Sequence, residues 1–176
     1  TVDFGLIEQI DPARYSLGNR IWLDMGAGAN TGNGLLDSDE AGIANVTVAL
    51  YTVPNGGAPV LFTTTQTDRN GYYRFDNLTA GDYLVEVTPS SGLTPSANSQ
   101  ELDPNLGQDQ NQNCVEPTAT GVRTRPITLG PGDSEPTGEA DLAAGGQGAV
   151  DLRADMTLDC GFTTNNLLSI GNQLFV

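Results

Sequence analysis

Two short signatures occur at both ends of this chain. TVDFG (1–5) precedes SLGNRIWLD (16–24), and TLDCG (157–161) precedes SIGNQLFV (169–176). The later copies follow the earlier ones by 156 (157 − 1) and 153 (169 − 16) positions. A pattern that repeats only at its borders marks one period of a tandem or linearly assembled array. The expected division is therefore a terminal strand of a preceding repeat with its linker (1–14), one repeat (15–163), and the linker and opening strand of the next repeat (164–176). Arrays of this kind build length and surface, so the first expectation is a structural role with copies of itself as partners.

The border strands sharpen that expectation. TVDFGLI (1–7) and TLDCGFT (157–163) share one pattern and suit the same final-strand slot, of which one domain has one. An apolar strand left without a partner is an aggregation hazard in a monomer. In an array it is a connector by strand addition. Residues 1–10 and 169–176 are expected to complete adjacent units, through chain continuity or strand exchange, and a heterologous contact of that kind propagates into a filament.

Composition excludes several function classes. There is no Lys and no His, all seven basic residues are Arg, and the 22 acidic residues give a formal net charge of −15. The commonest general base and the usual Schiff-base nucleophile are thus missing. Nucleic acid would be repelled. The negative charge suits either a solvated surface or the collection of cations. Gly 22 and Pro 10, with 6% aromatic residues, favour a loop-rich all-β domain over a helical one. No apolar run approaches the ~18 residues of a membrane helix. The chain opens inside a repeat pattern, so any export signal is expected upstream or already removed. Cys114 and Cys160 lack metal-type spacing; they are either one disulfide, closing a loop of 46 positions (160 − 114), or two unrelated thiols.

Periodicity supplies the strands. Strands are expected at 16–24, 43–52, 59–67, 72–75, 82–88, 121–129 and 154–162, separated by turn signals such as Pro54-Asn55-Gly56-Gly57 and Asp68-Arg69-Asn70-Gly71. In IANVTVALYT (43–52), Val46, Val48 and Leu50 face one way while Thr47 and Tyr51 face the other. In 82–88, Tyr83, Val85 and Val87 oppose Leu84 and Glu86. Residues 140–149 could hold one helical turn. The stretches 89–119 and 130–152 are irregular and long enough to be ligand-ordered. The pattern predicts an all-β sandwich of about seven strands.

The order of these pieces carries a family resemblance. WLD, a Gly/Asn/Asp loop ending in DSDEAGIANVTVALY, TDRNGYYRFDNLTAGDYLVEV, DPNLGQDQNQN, RPITLGPG and TLDCGF follow one another over residues 16–163. Together they resemble the B-type repeats of bacterial serine–aspartate surface proteins, which are related to the collagen-adhesin B-type fold. The resemblance implies an immunoglobulin-like or transthyretin-like sandwich, loop-bound calcium, and a stalk or spacer role outside the cell or on its surface. One departure is plain: without lysine, the Lys–Asn/Asp isopeptide cross-link of many collagen-adhesin B-type domains cannot form. Calcium and the candidate disulfide are the remaining stiffening devices.

Calcium takes six to eight oxygen ligands on a flexible turn with Gly at the bend. NGLLDSDE (33–40) matches the second half of an EF-hand-type loop: Asn33 fifth, Gly34 the bend, Leu35 through its carbonyl, Asp37 ninth, Glu40 the bidentate twelfth. The first half departs, with Ala29 and Thr31 at its ligand positions. Asp24 is the replacement, folded back by MGAGA (25–29), and Asn30 could assist. A second candidate, Asp68-x-Asn70-Gly71, reads as a plain hairpin turn ahead of half a metal site. The third is Asp103, Asn105, Asp109, Asn111 and Asn113, alternating along a loop with little apolar content to order it. Asp133, Glu135, Glu139 and Asp141 are expected to complete its shell. Without His, and with the cysteines far apart, transition metals are not expected.

Other features read blandly. Asn45-Val-Thr47 and Asn77-Leu-Thr79 fit the glycosylation triplet, which is common by chance. Trp22 is expected in the core or at its rim. Carboxylate pairs could serve a glycosidase, but the aromatics that hold a sugar are sparse, and no enzyme is expected. Two function classes remain: a calcium-stiffened repeat of a filament, stalk or surface fibre, and an adhesin or carbohydrate-binding module that uses the long loops.

Overall fold

The computed structural model describes residues 13–106, 109–130, 135–139 and 151–164. Two six-stranded sheets account for its regular structure. The first is built on β1 (Tyr15–Leu23), flanked by β5 (Tyr72–Leu78), by the short β2 (Ala41–Gly42), and by β11 (Ala154–Asp155) and β12 (Cys160–Thr164); β7 (Leu93–Pro95) pairs with β12. The second runs β4 (Val60–Gln66), β3 (Thr47–Thr52), β6 (Gly81–Thr88), β9 (Val122–Arg123) and β8 (Glu116–Pro117), with β10 (Ile127–Leu129) also on β6. Among the described residues, helical structure is limited to three-residue 3₁₀ turns.

The all-β sandwich expected from the sequence is the fold observed, with more and shorter strands than the seven anticipated. The segment 121–129 divides into β9 and β10 around Thr124–Pro126, and 154–162 divides into β11 and β12. In both places the backbone stays beside the same strand while its regular pairing is interrupted: β9 and β10 both lie on β6, where Thr124 N–H donates to the Val85 carbonyl, and β11 and β12 both lie on β1, where Leu158 N–H donates to the Gly18 carbonyl. Short pieces of this length carry too few alternating residues to show a period. The irregular stretch 89–119 contributes β7 and β8, which are equally short. Residues 140–149 lie outside the described residues.

Alternation builds the core between the sheets. Val46, Val48 and Leu50 are buried while Thr47 is exposed, as the period-2 pattern requires. They pack with Leu17, Ile21, Val85, Val87, Leu158 and Phe162, every one of which is 0% exposed. Burying an aliphatic or Phe side chain of this kind is worth about 1.5–3 kcal/mol. In β6, Leu84 is buried as well as Tyr83 and Val85, so this central strand is covered on both faces. Trp22 is also 0% exposed and lies where a Cβ on Gly161 would strike its ring. It is a core residue and offers no platform to a sugar.

The pairing of β1 sets the direction of the domain. β12 runs parallel beside it, with Ile21 opposite Cys160 and Leu23 opposite Phe162. The described chain therefore enters β1 at Tyr15, at one end of the sandwich, and leaves β12 at Thr164, at the other. The S-x-G-N signature has its physical reason in the same strand. A Cβ on Gly18 would sit 2.6 Å from the Tyr73 carbonyl oxygen, and Asn19 is fully buried.

Candidate functional site: two groups of acidic loops

The first group hangs from the end of β1. Asp24 is fully buried, its N–H bonded to the Phe162 carbonyl. Its Oδ1 accepts the Asn33 N–H at 3.1 Å, and its Oδ2 accepts the Gly34 N–H at 2.8 Å and the Ser96 hydroxyl. The loop 25–34 is thereby folded back over the carboxylate, as the MGAGA insertion suggests. Gly34 is indispensable there: φ is +76°, and a Cβ would lie 1.9 Å from the Asn98 carbonyl oxygen. The Ser99 hydroxyl holds the Asn33 carbonyl at 2.8 Å, and Leu36 N–H reaches the Gln110 carbonyl.

The remaining predicted residues of this loop close around Asp24. Asn33 accepts the Leu35 N–H through Oδ1 and donates through Nδ2 to Asp37 Oδ2 at 2.7 Å. Glu40 accepts the Gly26 N–H at 2.9 Å and the Asp37 N–H at 3.0 Å. Burial raises the Glu40 pKa, these two N–H bonds oppose the rise, and the charges of Asp24 and Asp37 add to it. Leu35 is exposed at the loop surface. Asn30 turns toward Asp39 and donates to Oδ1, while Asp39 Oδ2 accepts the Ala27 N–H at 2.8 Å. The Ala27 bond, followed by that of Asn30, lowers the Asp39 pKa. Sequence reasoning passed over Asp39, which sits between two matched ligand positions.

Asp68 and Asn70 form a hairpin turn apart from this loop. Asp68 Oδ1 accepts the N–H groups of Asn70 and Tyr72 at 2.8 and 3.0 Å, the Asx geometry that closes such turns.

The second group is spread over three segments. Asp103 and Asn105 are exposed; Asp103 Oδ1 accepts from both the backbone and the side chain of Asn105, whose Oδ1 accepts the Thr128 N–H. Asp109 is half-buried, whereas Asn111 and Asn113 are buried. Asn113 Oδ1 accepts the Asp159 N–H, and Asp159, itself 1% exposed, accepts from Arg20 N–H and Gln110 N–H. Glu135 and Glu139 are buried, accepting from Gly130 and Met156 N–H respectively. Asp133 and Asp141 lie outside the described residues.

Asn111 Oδ1 and Asp155 Oδ2, both buried in this second group, meet no hydrogen-bond donor among the described residues. The other Asp155 oxygen accepts both the N–H and the hydroxyl of Thr157. Burial pushes the Asp155 pKa from its ordinary 3.8 up to about 7; the Thr157 bonds oppose this, and the charge of Glu139 adds to it. A buried polar atom without a partner costs about 1–3 kcal/mol. Asp155 and Asp159 were not singled out from the sequence, although Asp159 carried a signal: it is the invariant third letter of TVDFG and TLDCG.

Cys114 and Cys160 form a disulfide, with Cα atoms 5.3 Å apart. It ties the end of the 103–113 loop to the start of β12. All donors in both groups are oxygens, the set that suits a hard divalent cation. Among the described residues, however, no three acidic side chains converge tightly enough to hold an ion between them alone. Amide and backbone carbonyl oxygens would have to complete any shell.

Comparison with known proteins places the chain. The sequence model of the SdrD B-like domain matches residues 15–142. Serine-aspartate repeat-containing protein D of Staphylococcus aureus (strain Newman) is 39% identical over 162 residues, 92% of this chain and 9% of that protein. Serine-aspartate repeat-containing protein I of Staphylococcus saprophyticus is 49% identical over 94 residues, covering 53% of this chain and 4% of that protein. The fibrinogen-binding protein of Staphylococcus epidermidis is 39% identical over 94 residues, 53% of this chain and 8% of that protein. The chain thus spans less than a tenth of these relatives. A solved structure, the major plantain pollen allergen Pla l 1, matches 87% of this chain and 95% of that chain at 10% identity and a TM-score of 0.45, too distant to bear on function. On the match over residues 15–142, this chain belongs to the SdrD B-like domain family.

Proposed function

We propose that this domain is a structural repeat of an extracellular stalk or fibre, stiffened by calcium in its acidic loops and joined end to end through its border strands. Its location is extracellular or at the cell surface, the setting of its family and one in which a disulfide persists. Among the described residues no helix is long and apolar enough to cross a membrane.

The parallel pairing of β1 and β12 carries the reading. Entry at one end and exit at the other is what a unit in a linear array needs; a domain with adjacent termini would fold the array back on itself. Asp159 adds support. Its carboxylate accepts the N–H of Arg20 in β1, and residues 1–5 offer Asp3 at the matching place, with Phe4 where Cys160 stands. Residues 1–5 therefore suit the final-strand slot of a preceding unit, and residues 169–176, repeating β1, suit the opening slot of a following one. Both segments lie outside the described residues.

Calcium fits both acidic groups. In the first, burial raises Glu40 and the charges of Asp24 and Asp37 add to the rise; a cation among these carboxylates, its shell completed by Asn33 and backbone carbonyls, would relieve that repulsion. In the second, Asn111 and Asp155 each hold a buried oxygen that meets no donor among the described residues, and a cation would satisfy it. A ligand that binds only the native state adds RT ln(1 + [L]/Kd), about 2.7 kcal/mol at a hundredfold excess. Thermal melts in millimolar calcium and in chelator should differ by many degrees, and coincident melts would remove calcium from the account. An adhesive reading rests on one relative, the fibrinogen-binding protein; matrix-protein or glycan arrays that give hits for this isolated domain would favour it. No catalytic role is assigned.

A further inference from the structure

The outer edge of the second sheet differs from the rest of the surface. β4 (Val60–Gln66) pairs with β3 on one side and, among the described residues, with no strand on the other. Val60, Leu61 and Phe62 are 56%, 56% and 58% exposed. Three consecutive large apolar residues at an open edge form a template for strand pairing. Proteins usually guard such edges with a charge, a proline or a bulge. β4 contains neither charge nor proline, and only the register slip opposite Leu50 and Tyr51 interrupts it.

Charge identifies the occupant. The chain carries −15, yet no charged residue lies between Glu40 and Asp68, so the whole β3–β4 hairpin is neutral. Two copies approaching through other faces repel each other; through this hairpin they meet without like charges in contact. A basic partner would instead be drawn to the acidic loops. An antiparallel pairing of β4 with β4 of a second copy about Thr63 sets Phe62 opposite Thr64 and Leu61 opposite Thr65. Aromatic or aliphatic residues then meet β-branched ones across the strands, a favourable combination.

We propose that the β4 edge joins two copies of this chain side by side, as an isologous dimer distinct from the end-to-end contact. In an array, such a contact would bundle neighbouring fibres laterally. Sedimentation velocity over a concentration series tests it. The account predicts a reversible monomer–dimer equilibrium that Phe62→Glu weakens about tenfold or more, because it buries a charge at the pairing edge. Leu152→Glu, at a residue 67% exposed away from β4, should leave the equilibrium unchanged. Both residues are more than half exposed, so at concentrations where the chain is monomeric neither change should alter the melting temperature. Under mild oxidation Thr63→Cys should yield a covalent dimer, since the native cysteines are already paired. A monomer at every concentration, or a dimer weakened equally by both Glu substitutions, would overturn the proposal.

Discussion

The two groups of acidic loops have similar composition and opposite hydrogen-bond economies. In residues 24–40 the carboxylate oxygens of Asp24 and Glu40 all have donors: Asp24 those of Asn33, Gly34 and the distant Ser96, and Glu40 those of Gly26 and Asp37. That loop is held by its own N–H groups and by Ser96, Asn98, Ser99 and Gln110. In the second group Asn111 and Asp155 keep buried oxygens without donors among the described residues, and Asp155 lies close enough to Glu139 for their charges to interact. Acidic residues alone therefore do not tell how strongly a loop depends on an ion; the supply of N–H donors around them does.

The largest expected effect comes from cutting the tether between the second group and β12. Replacing Cys114 and Cys160 together by Ser opens a loop of 46 residues and should cost roughly 3–4 kcal/mol by the chain-entropy estimate. Denaturant melts in chelator would measure it. If the loss is no larger than a typical surface change, the disulfide does not organise this loop.

Next is the anchor of the first group. Asp24→Ala leaves two N–H groups and a hydroxyl near the buried site without their acceptor, and should cost about 2–4 kcal/mol. The comparison requires this loss in chelator as well as in calcium, because the bonds need no ion. A loss seen only in calcium would make Asp24 a ligand first and an anchor second.

Asp155 gives a smaller effect of opposite sign. The unfolded chain releases this proton near 3.8, whereas the folded chain holds it to about 7. Between those values the folded state binds more protons, so this group's contribution to stability falls as pH rises through the window and is flat outside it. Glu40, also raised, acts in the same direction, while fully exposed Asp39, lowered, opposes it weakly. In chelator, Asp155→Asn should therefore raise the melting temperature at pH 7.5 and flatten the decline from pH 4.5. An unchanged pH profile would remove Asp155 from the second group's repulsion. The smallest change is expected at the hairpin: Asp68→Asn leaves an oxygen for the Asn70 and Tyr72 N–H groups and should scarcely alter the calcium response.

Much of the fold was legible because β1, β3, β5 and β6 are long enough to show their period, and Gly- and Asn-rich turns separate them. β7, β8, β9, β10 and β11 span two or three residues each, and nothing so short has a readable period; tertiary pairing alone defines them. The loop 24–40 was legible because its partners are local in sequence, Asn33 with Asp37 and Asp24 with Gly34. Its hold on Ser96, Asn98 and Gln110 was not, since those contacts cross more than sixty positions. Asp155 escaped notice for a different reason: its burial and the nearby charge of Glu139 come from packing that local sequence does not mark. β4 was correctly read as a strand, but its exposure depends on standing at the sheet edge, a matter of topology.

Amide hydrogen exchange in calcium and in chelator tests the central claim most directly, because it reads both groups of loops in one sample. The account predicts that calcium slows exchange across 109–113 and the start of β11 strongly, and across 33–40 by less, since the 33–40 loop is already held by N–H bonds to its carboxylates. Equal exchange in the two conditions at both loops would contradict calcium as the stiffening agent of this repeat.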